Sequence, residues 1–382
     1  MSFQGYKFVD NFHHMHFPTD RPSIEALIEE IDPIAYAKSR NFINGRVTKL
    51  SPYFSRGVLH AKQIIQHLQS KAYTFQEVET LVKELAWREY YQRVWNALGD
   101  DLQQDVLHPQ ESVRSNQLPL ALEEVQTGID SIDKGIHSLL ETGYMHNHVR
   151  MYLASICCNI AGYHWKNPSK WLYFHLFDAD WASNALSWQW VAGTFSQKKY
   201  VANQENINYY TQSNQRNTYL DCSYDELLTQ PIPKLLANET SFALKTVLPS
   251  NLPLPSISTN SAYIFNFYNL DERWLPEGET AILLLEPSFF EKYPVSQKVL
   301  DFSLALSKNI PNIQWFVGEY DELKRHFPET NFHFKQHPSN LHYQGTEHSR
   351  DWLFPSVDEY YSSFSKYWRK CSPIAEAMFQ KK

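Results

Sequence analysis

Cysteine is scarce. The chain has four in 382 residues, at positions 157, 158, 222 and 371, with no C-x-x-C spacing. That argues against a disulfide scaffold and gives structural zinc or an iron–sulfur cluster no support. Long apolar runs are also missing. None approaches the ~20 residues of a membrane span, so no membrane role is expected. The opening "MSFQGYKFVDNFHH" lacks a basic start and an apolar stretch. No secretory leader is therefore expected, and the cytoplasm is the default location. Positive charge is in deficit, with a net charge of −7, which speaks mildly against a nucleic-acid partner. Its distribution qualifies that. From Met145 to Arg216 six Lys or Arg face three acids, with four further His, so one stretch is locally basic. "FHHMHF" groups His13, His14 and His16. No Cys is near, and Asp10 and Asp20 stand at no recognisable ligand spacing, so no metal is expected.

What the chain does have is aromatic side chains, at 15%, and a clear change of character part-way along. Residues 22–230 read as mostly helical. "SIEALIEEIDPIAYAKSR", "SRGVLHAKQIIQHLQSK" and "TFQEVETLVKELAWREYYQRVWNAL" carry apolar residues at three- and four-residue spacing. Ser23 is the expected first cap, and Thr74 with Glu77 spells a capping box. A Pro-, Ser- and Asn-rich connection follows at 231–260. Beyond it, "AYIFNFYNL", "TAILLLEP", "IQWFVGEY" and "NFHFKQ" alternate with "SQKVLDFSLALSKN" and "YDELKRHF". Strands alternating with helices predict a small α/β, Rossmann-like domain over 261–382. It should end in a helix interrupted at Pro373.

Three helical faces in the first part have mixed chemistry. "DADWASNALSWQWVAGT" strings two carboxylates, an amide and three indoles over residues 178–194 with no Lys or Arg. On a helix Asp180, Asn184 and Trp188 share a face. Buried without partners they would be destabilising, and a flat heterocycle with its own donors and acceptors would supply those partners. The plainer alternative is an N-cap, Asp178 or Asp180, followed by a Trp-rich core face. In "KELAWREYY" the residues Glu84, Trp87, Arg88 and Tyr91 share a face; the alternative is a Glu–Arg surface pair beside half-buried rings. In "GYMHNHVRMYLAS" Asn147, Arg150 and Met151 do so, and an exposed helix end would explain them as well.

Taken together, "TKLSPYFSRGVL", "LAWREYY", "TGYMHNHVRM" and "DADWASNALSWQWVAG" resemble, in order and spacing, the flavin domain of the photolyase/cryptochrome family. The resemblance covers roughly residues 36–200. It implies an all-α FAD-binding domain over 1–230. Tyr36, Thr48 and Ser51 match positions near the FAD phosphates, and Arg88 joins the cofactor set. Arg150 and Asp178 match an ion pair beside the flavin ring, Asp180 faces the ring's polar edge, and Asn184 stands next to flavin N5. Glu84, Trp87, Asn147, Met151 and Trp190 match the pocket that receives a cyclobutane pyrimidine dimer in DNA. Trp188 and Trp165 match the inner two tryptophans of an electron chain. The implied activity is light-driven splitting of such dimers by an electron from reduced FAD, with blue-light signalling without repair as the alternative. Glu84 is expected to be protonated and to donate to a pyrimidine carbonyl.

Three features depart from the family pattern. "HPQESVRSN" holds no Trp where the outer member of the chain belongs. The Asn-Pro usual after Tyr200 is missing. The α/β pattern follows the flavin domain, shortened, where the family normally puts it first, which argues against a second, antenna chromophore.

Overall fold

The computed structural model describes residues 16–196 and 198–380; His13 and His14 lie outside them. The helical part runs through α1 (Arg21–Glu29), α2 (Pro33–Ser39), α3 (Ser51–Ser55), α4 (Ala61–Ser70), α5 (Phe75–Leu98), α6 (Leu120–Glu123), α7 (Asp130–Thr142), α8 (Asn147–Ser155), α9 (Lys166–His175), α10 (Trp181–Ala192), α11 (Gln204–Thr211) and α12 (Tyr224–Leu227). It is not purely α. Two short strands, β1 (Leu118–Pro119) and β2 (Glu239–Thr240), pair antiparallel. Each is two residues long, too short for any period-2 pattern to announce it.

Local rules explain the helix starts. Thr74 and Glu77 form the expected capping box on α5, with Thr74 N donating to the Glu77 carboxylate at 2.8 Å. For α1 the cap is Asp20 and not Ser23: Asp20 Oδ1 accepts from Ser23 N at 3.0 Å. The preference of Pro for the first turn shifts the start back before Pro22.

The second part contains β3 (Ser261–Phe265), β4 (Thr280–Leu285), β5 (Gln314–Val317), β6 (Asn331–Lys335) and β7 (Thr346–His348), with helices α13 (Pro287–Lys292), α14 (Gln297–Ser307) and α15 (Tyr320–His326). The sheet is wholly parallel, in the order β5-β4-β3-β6-β7. All six residues of β4 are buried, as its unbroken apolar run requires of a strand covered on both faces. The order reverses between β3 and β6, a doubly wound topology. The three-residue edge strand β7 has no apolar run to predict it.

The last helix, α16 (Phe364–Met378), leaves the sheet and packs on α5 of the helical part. It also runs through Pro373 without interruption. The ring removes one backbone donor, but the burial of Phe364, Tyr367, Cys371 and Ala375 on one face holds the helix together. No helix among the described residues is long and apolar enough to cross a membrane.

Candidate functional site

The unusual segment at 178–194 folds as an extended lead-in followed by α10. Asp180 is its N-cap. Oδ1 accepts from Ser183 N at 2.7 Å, while Oδ2 takes Gln92 Nε2 at 2.7 Å and Arg88 Nη2 at 3.3 Å. At 3% exposure Asp180 is fully partnered, and Trp188 at 2% is core. Asp180, Asn184 and Trp188 therefore do not form one open face, because Asp180 precedes the helix as its cap and Trp188 is buried in the core. The partly open stripe of α10 is Ser183, Asn184, Ser187 and Trp190. The amide of Asn184 is held: Nδ2 donates to Ser169 O at 2.8 Å. That leaves the carbonyl oxygen as the end able to accept. Ser183 Oγ is buried without a partner, so this stripe carries an unmet hydrogen-bonding group.

Arg150 and Asp178 meet as a bidentate pair, Nη1–Oδ2 3.0 Å and Nη2–Oδ1 3.1 Å. Arg150 Nε also donates to Met145 O at 2.7 Å. Burial pushes the Asp178 carboxyl up, but Arg150 and the Ser51 hydroxyl outweigh it and hold it below the usual range. His146 caps α8, accepting from His148 N at 3.2 Å. Burial, with the neighbouring positive charges, brings both His146 and His148 down to about 4, so both are neutral at pH 7.

The α5 face is partly open at Glu84, Trp87, Arg88 and Tyr91. The alternative reading, a Glu84–Arg88 surface pair, does not hold. Glu84 Oε1 lies 3.3 Å from Arg40 Nη2, and Arg88 turns to Asp180 and to Ser55 Oγ at 3.1 Å. Arg40 stands one turn after Tyr36 on α2, so helical spacing held the signal for it. Burial raises the Glu84 carboxyl and Arg40 opposes that, with the net shift upward. Tyr91 shares a hydrogen bond with Ser187 across to α10. Burial, reinforced by Glu84, pushes the Tyr36 hydroxyl up. Asn147 is exposed at the first position of α8, and Met151 is half-buried against the core. No ring contact among the described residues joins Trp87 to Trp190. The nearest rings to Trp190 are those of Tyr200, 5.8 Å away. The two indoles are thus unpaired with each other.

Thr48 precedes, and Ser51 begins, a helix of only five residues. Ser51 is already engaged with Asp178, so a strong helix-terminus field is not what this segment offers. Trp165 is fully buried, and its Nε1 donates to Asp105 Oδ1 at 2.6 Å.

A cavity of about 110 Å³ lies between α5 and the carboxyl ends of β3 and β6, lined among others by Arg88, Gln92, Asn266, Lys335, His337 and Arg350. At its rim His60, Asp271 and Asp351 place ligand-type atoms within 4.8 Å of one another. Arg273 lies 2.7 Å from Asp271 and Lys335 2.8 Å from Asp351, so two cations already balance the two acids.

With this geometry in hand, comparison with known proteins is informative. Residues 81–224 match the FAD binding domain of DNA photolyase. This range holds α8, α10 and most of α5, the helices that carry the mixed faces. The likeness to DNA photolyases thus falls within the helical part of the chain. A deoxyribodipyrimidine photo-lyase of Alkalihalophilus pseudofirmus is 28% identical over 241 residues, 58% of this chain and 48% of that protein. One from Agrobacterium fabrum is 31% identical over 190 residues, 46% of this chain and 39% of that protein. A cryptochrome structure from Synechocystis sp. PCC6803 aligns with a TM-score of 0.47 at 23% identity, over 51% of this chain and 44% of that one. The chain spans about half or less of the length of these relatives.

Proposed function

We propose that this chain binds FAD among α2, α5, α8 and α10 and uses light to split cyclobutane pyrimidine dimers in DNA. The observation that carries the reading is the bidentate Arg150–Asp178 pair, together with the partly open stripe of α10 on which the Asn184 amide is held with its carbonyl oxygen left to accept. These groups fit a flat heterocycle with an alternating polar edge. FAD, when bound and reduced, supplies a light-absorbing one-electron donor.

The residues then divide by chemistry. Arg150, Asp178 and Asp180 hold and orient the ring. Asn184 offers its carbonyl oxygen as an acceptor, which favours a protonated N5 and so the reduced cofactor. Tyr36, Thr48, Ser51 and Arg88 serve the phosphate side through hydroxyls and one guanidinium. Trp188 and Trp165 are buried indoles through which an electron reaches the site, and Asp105 accepts a hydrogen bond from the second.

On the DNA side, a dimer must leave the stack, and its distortion lowers that cost. Trp87 and Trp190 present flat walls to it, with Met151 as a polarisable contact and Asn147 at the exposed edge. Glu84, raised towards the neutral acid, donates to a pyrimidine carbonyl as negative charge builds there. The dimer takes up one electron, its cyclobutane ring opens and the electron returns, so turnover needs no net reductant. In this reading the chain divides into a flavin domain at 1–230, a linker at 231–260 and an α/β domain at 261–382, and the cavity at the sheet's carboxyl ends is not needed for repair.

The test is an oligonucleotide with one dimer, incubated with flavin-reduced protein in blue light and in the dark. Light-dependent recovery of the two pyrimidines is expected. A reduced, flavin-loaded protein that neither prefers nor splits the dimer would remove the repair reading and leave a light-sensing flavoprotein.

A further inference from the structure

The C-terminal helix brings an aromatic ring to the one face of α5 that matters for this reading. Ser363 caps α16, accepting from Lys366 N at 3.4 Å, and Phe364 is the first residue of the helix. The Phe364 ring lies 3.6 Å from the Trp87 ring, with their planes 11° apart. Trp368, one turn on, continues the column: its plane is 14° from that of Phe364, with centroids 6.2 Å apart. Free aromatic pairs prefer offset or edge-on contact to a face-to-face sandwich. The surroundings therefore hold this one in place. Tyr367 donates its hydroxyl to Glu89 at 3.0 Å, Tyr90 donates to Tyr361 O at 3.0 Å, and Arg93 donates to Phe354 O at 3.1 Å. Glu89 also accepts from Phe354 N at 3.0 Å. These bonds fasten residues 354–367 along α5 over the turns that follow Trp87.

Exposure separates the two rings. Phe364 is 5% exposed, whereas Trp87 is half-buried. The phenyl thus covers one face of Trp87, and the indole as a whole stays partly open to solvent. An unsupported indole can rock about its side-chain torsions and loses that freedom when a base stacks on it. One backed by a parallel ring has lost it already.

We propose that Phe364 is a positioning residue that fixes the plane of Trp87, so that an unstacked pyrimidine meets a wall already set. The proposal rests on the DNA-repair reading above. Wild type, Phe364→Leu and Phe364→Tyr, each loaded with flavin, are titrated at one salt concentration and well below their Tm. The two probes are an oligonucleotide carrying one cyclobutane dimer and the same sequence undamaged. Phe364→Leu should bind the dimer roughly fivefold more weakly, a fraction of what a whole stacking ring contributes. Binding to undamaged DNA rests on phosphate contacts and should not move. Phe364→Tyr keeps a flat ring and should keep the wild-type ratio of the two affinities. An unchanged ratio in Phe364→Leu, with only a lower Tm, makes the contact merely structural and overturns the proposal. A tighter hold on the dimer makes Phe364 an obstruction and overturns it as well. In both cases wild type still prefers the dimer, so the repair reading stands. If wild type has no such preference, that reading fails and this proposal with it.

Discussion

Replacing Asp178 by Asn removes one charge and leaves the geometry nearly unchanged. The side chains of the pair are 20% exposed for Arg150 and 10% for Asp178. Breaking a fully buried pair by removing one partner costs about 3–5 kcal/mol, because the remaining charge is uncompensated. Arg150 keeps some contact with water and its bond to Met145 O, so about 2–3 kcal/mol is the expected loss. At about 2.1 cal/mol/K per residue, 382 residues unfold with an entropy of about 0.8 kcal/mol/K, and the shift in Tm is roughly 3–4 °C. The sign with pH follows from the depressed Asp178 carboxyl. Its stabilisation is present above the unfolded value of about 3.9 and is lost as pH falls below it. The gap between wild type and variant should therefore close at acid pH. The double variant Arg150→Met with Asp178→Leu should recover most of the Tm, since apolar replacements of similar size often equal a buried pair. It should not recover flavin, measured as absorbance released on denaturation. The reasoning is refuted if Asp178→Asn leaves the Tm within about 1 °C of wild type at neutral pH, or if the double variant retains full flavin.

Asn184→Ala should keep bound flavin but shift its midpoint potential more negative, because an acceptor for the reduced ring is lost; an unchanged potential in a redox titration would speak against that role. Trp188→Phe should slow the light-driven arrival of electrons, seen as weaker tryptophan-radical absorbance, while chemically reduced protein still splits dimers; equal loss of both would make Trp188 a packing residue. Asp271 joins His60 on α4's start to the segment after β3. Burial raises its carboxyl, but hydrogen bonds from His60 and Arg273 bring it down to about 2. Its contribution, about 2 kcal/mol, should be complete above pH ~4 and lost as pH falls towards 2. Asp271→Asn should flatten the Tm–pH profile over that window, and an unaltered slope would contradict the assignment.

Much of this protein was decided by sequence alone. Helical periodicity and the Thr74–Glu77 box place α5, and the unbroken apolar run of β4 announces a strand covered on both sides, because these follow from local spacing. The Arg150–Asp178 pair was accessible through its family motif, since both residues lie within segments whose order carries meaning. What local spacing could not decide is which side of each helix meets which neighbour. Asp180 reads either as one member of an open face or as a cap, and packing settles it as the cap, locked by Arg88 and Gln92 from α5. Local spacing allows Glu84 to pair with Arg88, yet Arg40, at the end of α2, claims it. The stack of Phe364 on Trp87 joins residues 277 positions apart, and no pattern in either segment encodes it. Such contacts are fixed by how whole elements pack, and chain order says nothing about which distant surfaces will close on each other.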